Sequence, residues 1–216
     1  MIHDGKAISL PLSLRVWGDA ALFTRPEMKV ERVSYDMCTP SAARGILEAV
    51  FWKPQMVWRV ERIDVLKPIR FQTVRRNEVG TKASNAFGID AEDHRQQRAS
   101  VILREVDYVV TARIALTAKA PADETVTKYV EMFRRRARAG QCFHRPCLGT
   151  REFAADFTLV EDGTDVPPPI ADSPDLGWML LDIDHSGKAP VPLFFRARLV
   201  EGRLAVPPPD SVEVRR

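Results

Sequence analysis

The 216-residue chain is 45% hydrophobic and 28% charged, the balance of a globular protein with enough length to bury a real core. No apolar run approaches the roughly 18–20 residues of a membrane span, which excludes a helical membrane protein, and three cysteines, an odd number, argue against a disulfide framework and for a reducing, cytoplasmic setting. The net charge of +3 does not by itself demand a polyanionic partner, so the distribution of charge carries the information.

The N-terminal stretch MIHDGKAISLPLSL reads as a strand rather than a signal peptide. Ile8, Leu10, Leu12, Leu14 and Val16 recur at period two, which predicts one buried face. A charged loop follows. Thr39, Pro40 and the helically spaced Ala43, Ile46, Leu47 and Val50 then predict a capped helix that ends at Lys53-Pro54. A second strand is expected from about Gln55 to Val65. The polar, basic stretch from Lys67 to Ser100 shows no sustained periodicity and reads as a long loop. Val106, Tyr108, Val110, Ala112, Ile114 and Leu116 predict the next strand. A helix from about Asp123 to Ala139 follows, closed by Gly140. REFAADFTLV reads as a further strand. Strand, helix, strand, strand, helix, strand is the ferredoxin-like (RRM-like) βαββαβ order within an α+β fold. The triple proline Pro167–Pro169 marks a change of regime, so residues 1–160 are expected to form the ferredoxin-like domain. Residues 161–216 would then form a small antiparallel β domain, with Glu201-Gly202 as a hairpin turn.

Charge is segregated along the chain. Lys128, Arg134, Arg135, Arg136, Arg138, Arg145 and Arg151 face a single acid, Glu131, between residues 128 and 151, and an acidic segment follows to Gly187. This favours a polyanion held on one face. Cys142, His144 and Cys147 lack a fourth ligand and the paired CxxC spacing of a zinc site, and no phosphate-binding glycine loop or nucleophile elbow is present. No metal and no cofactor are expected.

The segments WGDAALFTRPE, TPSAARGILEAVFWKP, VLKPIRFQTVRRNEV, KYVEMFRRRARAGQCFHRPCLGTREFAADF and GWMLLDID resemble, in order and over nearly the whole chain, the CRISPR-associated Cas five proteins of subtype I-C. The resemblance implies an endoribonuclease that cuts precursor CRISPR RNA within the repeat. Such a protein then stays on the 5′ handle of the guide, beside Cas seven and Cas eight type subunits, and reaches target DNA through the complex. Cleavage of this kind, without a metal, uses the RNA's own 2′-hydroxyl as nucleophile. It needs a base, a cation for the phosphate and an acid for the leaving oxygen.

The resemblance assigns these roles to a tyrosine in the first helix and a lysine-histidine pair at the start of the second. Lys128 matches the lysine, whereas Phe51 and Tyr129 stand at the tyrosine and histidine positions. The candidate catalytic residues are therefore Lys128, Tyr129 and His144, with Tyr35 a further possibility. The other reading is a non-catalytic subunit that only caps the 5′ handle. Under the resemblance, residues 67–100 form a thumb-like loop. Lys29, Arg32, Arg75, Arg76, Lys82, Arg134, Arg135, Arg138 and Arg145 are the expected RNA contacts, with salt-sensitive affinity.

Overall fold

The computed structural model describes residues 2–3, 6–28, 30–82 and 88–216; Lys29, a predicted RNA contact, lies outside the described residues. The fold is α+β, a mostly antiparallel sheet with two helices. Two short strands, β1 (Ile2–His3) and β2 (Lys6–Ala7), pair with each other. Then come β3 (Leu12–Ala21), β4 (Arg32–Val33), α1 (Pro40–Val50), β5 (Met56–Val65), β6 (Phe71–Val79), β7 (Arg95–Leu116), α2 (Val126–Arg138) and β8 (Asp156–Val160). The chain ends with β9 (Asp175–Asp184), β10 (Val191–Val200), β11 (Arg203–Ala205) and β12 (Val214–Arg215).

The central sheet runs in the order β5-β7-β3-β8, every neighbour antiparallel. Leu12, Leu14 and Val16 of β3 point into the core with Tyr108, Val110 and Ala112 of β7, as period-two alternation requires. Leu10, predicted to share that face, is 72% exposed. Buried Ser9 replaces it in the ladder, its N–H donating to the Ile114 carbonyl and its Oγ accepting from the Ile114 N–H. Pro11, which has no N–H to give, then lets the chain shift register before β3.

The segment expected as a loop from Lys67 to Ser100 is corrected: residues 71–79 and 95–100 of it are strands of a two-stranded arm. β6 pairs with the first half of β7 from Phe71↔Leu103 to Val79↔Arg95. β7 passes from partner β5 to partner β6 at Glu105, whose φ of 53° breaks the ladder between the two halves. β4 adds to the arm in parallel, through Arg32↔Ser100 and Val33↔Val101.

α1 begins where the Thr39 side chain accepts from the Ala42 N–H, with Pro40 in its first turn, a cap worth about 1 kcal/mol. It buries Ala43, Ile46, Leu47 and Val50. α2 buries Tyr129, Phe133 and Ala137, and the Phe133 ring meets Trp58 edge to face at 4.7 Å. That geometry adds roughly 0.5–1.5 kcal/mol beyond area burial. β11 joins the C-terminal strands to the central sheet by pairing with β5 (Arg203↔Asp64), and the Glu201-Gly202 turn connects it to β10. Arg44 of α1 holds β9 through an ion pair to Asp182 at 2.7 Å.

Candidate active site and RNA-facing surface

The end of α1 and the two ends of α2 build the site. At the first helix, the Phe51 N–H donates to the Leu47 carbonyl, and extended φ and ψ turn the chain out of the helix. The Trp58 indole N–H donates to the Phe51 carbonyl at 2.9 Å, fixing the position from the sheet side. Phe51 is buried, its ring 6.4 Å from that of Tyr129. A proton-carrying side chain is therefore absent at the position to which the resemblance assigns a tyrosine.

At the start of α2, Glu124 gathers its neighbours. One carboxylate oxygen accepts from the Lys128 ammonium, four residues on, and the other accepts from the Tyr129 hydroxyl. Lys128 stays half exposed, with side-chain exposure of 55%, while Tyr129 is buried. Burial first, then the Glu124 hydrogen bond and charge, pushes the Tyr129 hydroxyl up to about 12. The hydrogen bonds from Lys128 and then Tyr129 hold the Glu124 carboxyl below its ordinary value. At neutral pH this places an ionised carboxylate between an ammonium and a protonated phenol. The phenol can donate a proton but cannot serve as a ready base.

At the other end of α2, Gly140 adopts a φ of +62°. Its N–H donates to the Ala137 carbonyl and that of Gln141 to Arg136, the paired bonds of a Schellman turn. The turn sends the chain back to α1, where the Phe143 N–H donates to the Ala49 carbonyl at 2.7 Å. Arg136 crosses the same junction: one guanidinium N–H donates to the Val50 carbonyl, capping an orphan of α1, and its centre sits 5.8 Å from the Phe51 ring. A cleft of about 690 Å³ results, its walls including Phe51, Trp52, Lys53, Arg136, Phe143 and His144.

The predicted catalytic residues thus fall at two places. Lys128 and Tyr129 are joined through Glu124, whereas exposed His144 lies at the far end of the helix in the Phe51 cleft, its Nδ1 3.3 Å from the Arg145 carbonyl. Tyr35 is buried under Arg25 in a separate depression with Glu27, Trp178, Phe194 and Arg215.

The predicted RNA contacts divide by partner. On the arm, Arg76 pairs with Glu152 and donates to Ser100 Oγ, while Arg32 lies 3.5 Å from Glu78. On α2 and after it, Arg134 pairs with Glu131, Arg138 binds Glu161 through two hydrogen bonds, and Arg145 pairs with Asp156. Arg75, Lys82 and Arg135 are exposed and have no acidic partner among the described residues. Cys142, His144 and Cys147 belong to no metal-competent group among the described residues.

Sequence reasoning missed Glu124, Trp52 and Phe143, and left Arg136 off the list of RNA contacts. The i,i+4 spacing of Glu124 and Lys128 was a usable signal for the first. Exposure of large aromatics is visible only in three dimensions.

The fold and the site define an α+β protein with an exposed lysine held by a carboxylate at one end of α2 and a cation-lined aromatic cleft at the other. Residues 12–207 match the family of CRISPR-associated proteins (Cas_Cas5), and the chain belongs to that family. It is 51% identical to a "CRISPR pre-crRNA endoribonuclease Cas5d" of Mannheimia succiniciproducens, over 95% of this chain and 98% of that one. It is 43% identical to a protein of the same name from Thermus thermophilus, over 91% of each. Two crystal structures share the fold at 20% identity and a TM-score of 0.73. One is a CRISPR-associated protein, covering 98% of this chain and 99% of its own; the other is a functionally uncharacterized Streptococcus mutans protein, covering 97% and 99%. No helix among the described residues is long and apolar enough to cross a membrane.

Proposed function

We propose that this chain is an endoribonuclease that cuts precursor CRISPR RNA within the repeat and keeps the 5′ handle of the product. The observation that carries the reading is full-length similarity to two relatives bearing that activity in their names. The site supports it. Lys128 is the catalytic cation, half exposed and able to exchange the Glu124 carboxylate for a phosphate as the 2′-hydroxyl attacks, and needs no metal for that step. Glu124 is a positioning residue that holds its ammonium, and Tyr129 in turn holds Glu124 through its hydroxyl. His144, in the cleft at the other end of α2, is the imidazole available for proton transfer. Arg75, Lys82 and Arg135 contact the backbone first, and the paired arginines exchange carboxylate for phosphate on binding.

The strand order supports the ferredoxin-like reading of residues 1–160, with residues 161–216 as an appended strand-rich unit and the β6–β7 arm as the thumb. In the same reading the protein works in the cytoplasm within a surveillance complex. It contacts Cas seven and Cas eight type subunits, and target DNA through them. The non-catalytic alternative rests on Phe51 and Tyr129.

Labelled repeat RNA in EDTA, with unaltered protein and Lys128→Ala, decides between them. Cutting at one site that the variant loses, with binding kept, is the expected result. Binding without cutting by the unaltered protein leaves only the capping role.

A further inference from the structure

Two of the largest exposed apolar side chains on the molecule line the same cleft. Trp52 is 52% exposed and Phe143 85% exposed, and each sits on backbone that is held in place. Trp52 opens a turn closed by the Met56 N–H to the Lys53 carbonyl and by the Thr117 hydroxyl to the Pro54 carbonyl. Phe143 is anchored by its own N–H to Ala49, at the end of a chain reversal set by Gly140. Rigid backbone beneath a solvent-facing ring is what a stacking platform needs, because little ordering remains to be done on binding. Both rings leave apolar surface in water, which gains nothing for the isolated fold.

The charges around the rings select the occupant. Lys53 and Arg136 line the cleft, and Arg136 has no acidic partner among the described residues. The one carboxylate in the lining among the described residues, Glu48, is already paired with Arg44 at 2.8 Å. Aromatic faces beside unneutralised cations suit a nucleotide, with its base on the ring and its phosphate on the cation. At about 690 Å³ the cleft falls within the roughly 300–1,000 Å³ of small-ligand sites, enough for one nucleoside.

We propose that the Trp52–Phe143 cleft receives one unstacked base of the RNA, held on these two rings while Arg136 and Lys53 grip the adjoining phosphate. This rests on the RNA-cleaving reading above and adds to it a specificity-determining pocket. The pocket extends the reaction site along α2, about 12 Å from the Lys128 turn to the Arg136 turn. A base drawn into it pulls the neighbouring backbone toward Lys128, so the pocket sets which phosphate is cut.

The test uses the full chain and a set of repeat RNAs, each with one abasic nucleotide. Trp52→Ala, Phe143→Ala and the conservative Trp52→Phe are compared with unaltered protein for affinity and for kcat/KM. One abasic position should weaken the unaltered protein roughly 5- to 150-fold, the effect of losing one stacked base. Trp52→Ala should lose a similar factor on intact RNA and nothing further on that abasic RNA, whereas Trp52→Phe should restore most of it. Both side chains are exposed, so thermal melts of the variants should match the unaltered protein. Equal binding and cutting by both alanine variants would overturn the base pocket alone. An effect of the variants confined to assembly with protein subunits would overturn it in favour of a protein-docking surface. Failure of the unaltered protein to bind repeat RNA would instead sink the functional reading beneath it.

Discussion

Tyr129 donates its hydroxyl hydrogen to Glu124, and the same carboxylate holds Lys128, so the two neighbours on α2 are tied through one acid outside the helix. The protein has three tyrosines, and all are shifted the same way. Burial is the leading cause for Tyr35, Tyr108 and Tyr129.

Ultraviolet titration of the folded protein should therefore show no phenol ionising at the ordinary value of 10.0, and Tyr129 ionising at about 12. A raised phenol pKa favours the folded state below pH 10 and loses that contribution as pH rises through 12. Glu124 works in the opposite range. Its lowered pKa contributes above the ordinary 4.5 and is lost as pH falls through the folded value. Glu124→Gln should lower the Tyr129 titration midpoint and reduce kcat more than affinity. An unchanged midpoint would show that burial alone sets it.

Phe51→Tyr places a hydroxyl at the position to which the resemblance assigns a tyrosine. Phe51 is among the residues that line the cleft, with the Arg136 guanidinium 5.8 Å from its ring. Cleavage of repeat RNA should rise about 10- to 100-fold, within the gain a positioned acid or base can give. Stability should fall by about 1 kcal/mol if the new hydroxyl finds no partner. A rate no higher than that of the unaltered protein would mean that the missing tyrosine is compensated elsewhere.

Gly149 has a φ of +90°, and a Cβ there would stand 2.0 Å from the Leu22 carbonyl oxygen. That approach is fixed by the bond from the Leu22 N–H to the Leu148 carbonyl, which ties the loop after α2 to the end of β3. Gly149→Ala should cost upwards of about 3 kcal/mol, adding backbone strain to a clash with main chain. Denaturant unfolding measures the loss, and cleavage should fall with it because the loop carries His144.

Both helices were legible because each carries a cap signal and an apolar stripe: Thr39-Pro40 before Ile46 and Leu47, and Tyr129 and Phe133 before Gly140. The arm was not legible. Along β6, Phe71, Thr73, Arg75, Asn77 and Val79 are exposed, so no buried face imposes alternation. Its strands are specified by pairing with β7 instead, and such pairing leaves little trace in composition. In the site, Lys128 could be read from its motif. Its tether left only the i,i+4 spacing of Glu124 as a trace, because Glu124 lies just before α2, in a turn where the Glu124 N–H donates to the Pro121 carbonyl.

The handover along β7 has a consequence for synthesis. Among the described residues, none of β3, β4, β5 and β6 pairs with another of the four; each waits for β7. A ribosome that has delivered only the first 94 residues has therefore produced four strands with no ladder between them, and the sheet closes only as β7 emerges. The nascent chain carries unpaired edges for nearly half its length, and rapid completion of β7 is its protection against aggregation.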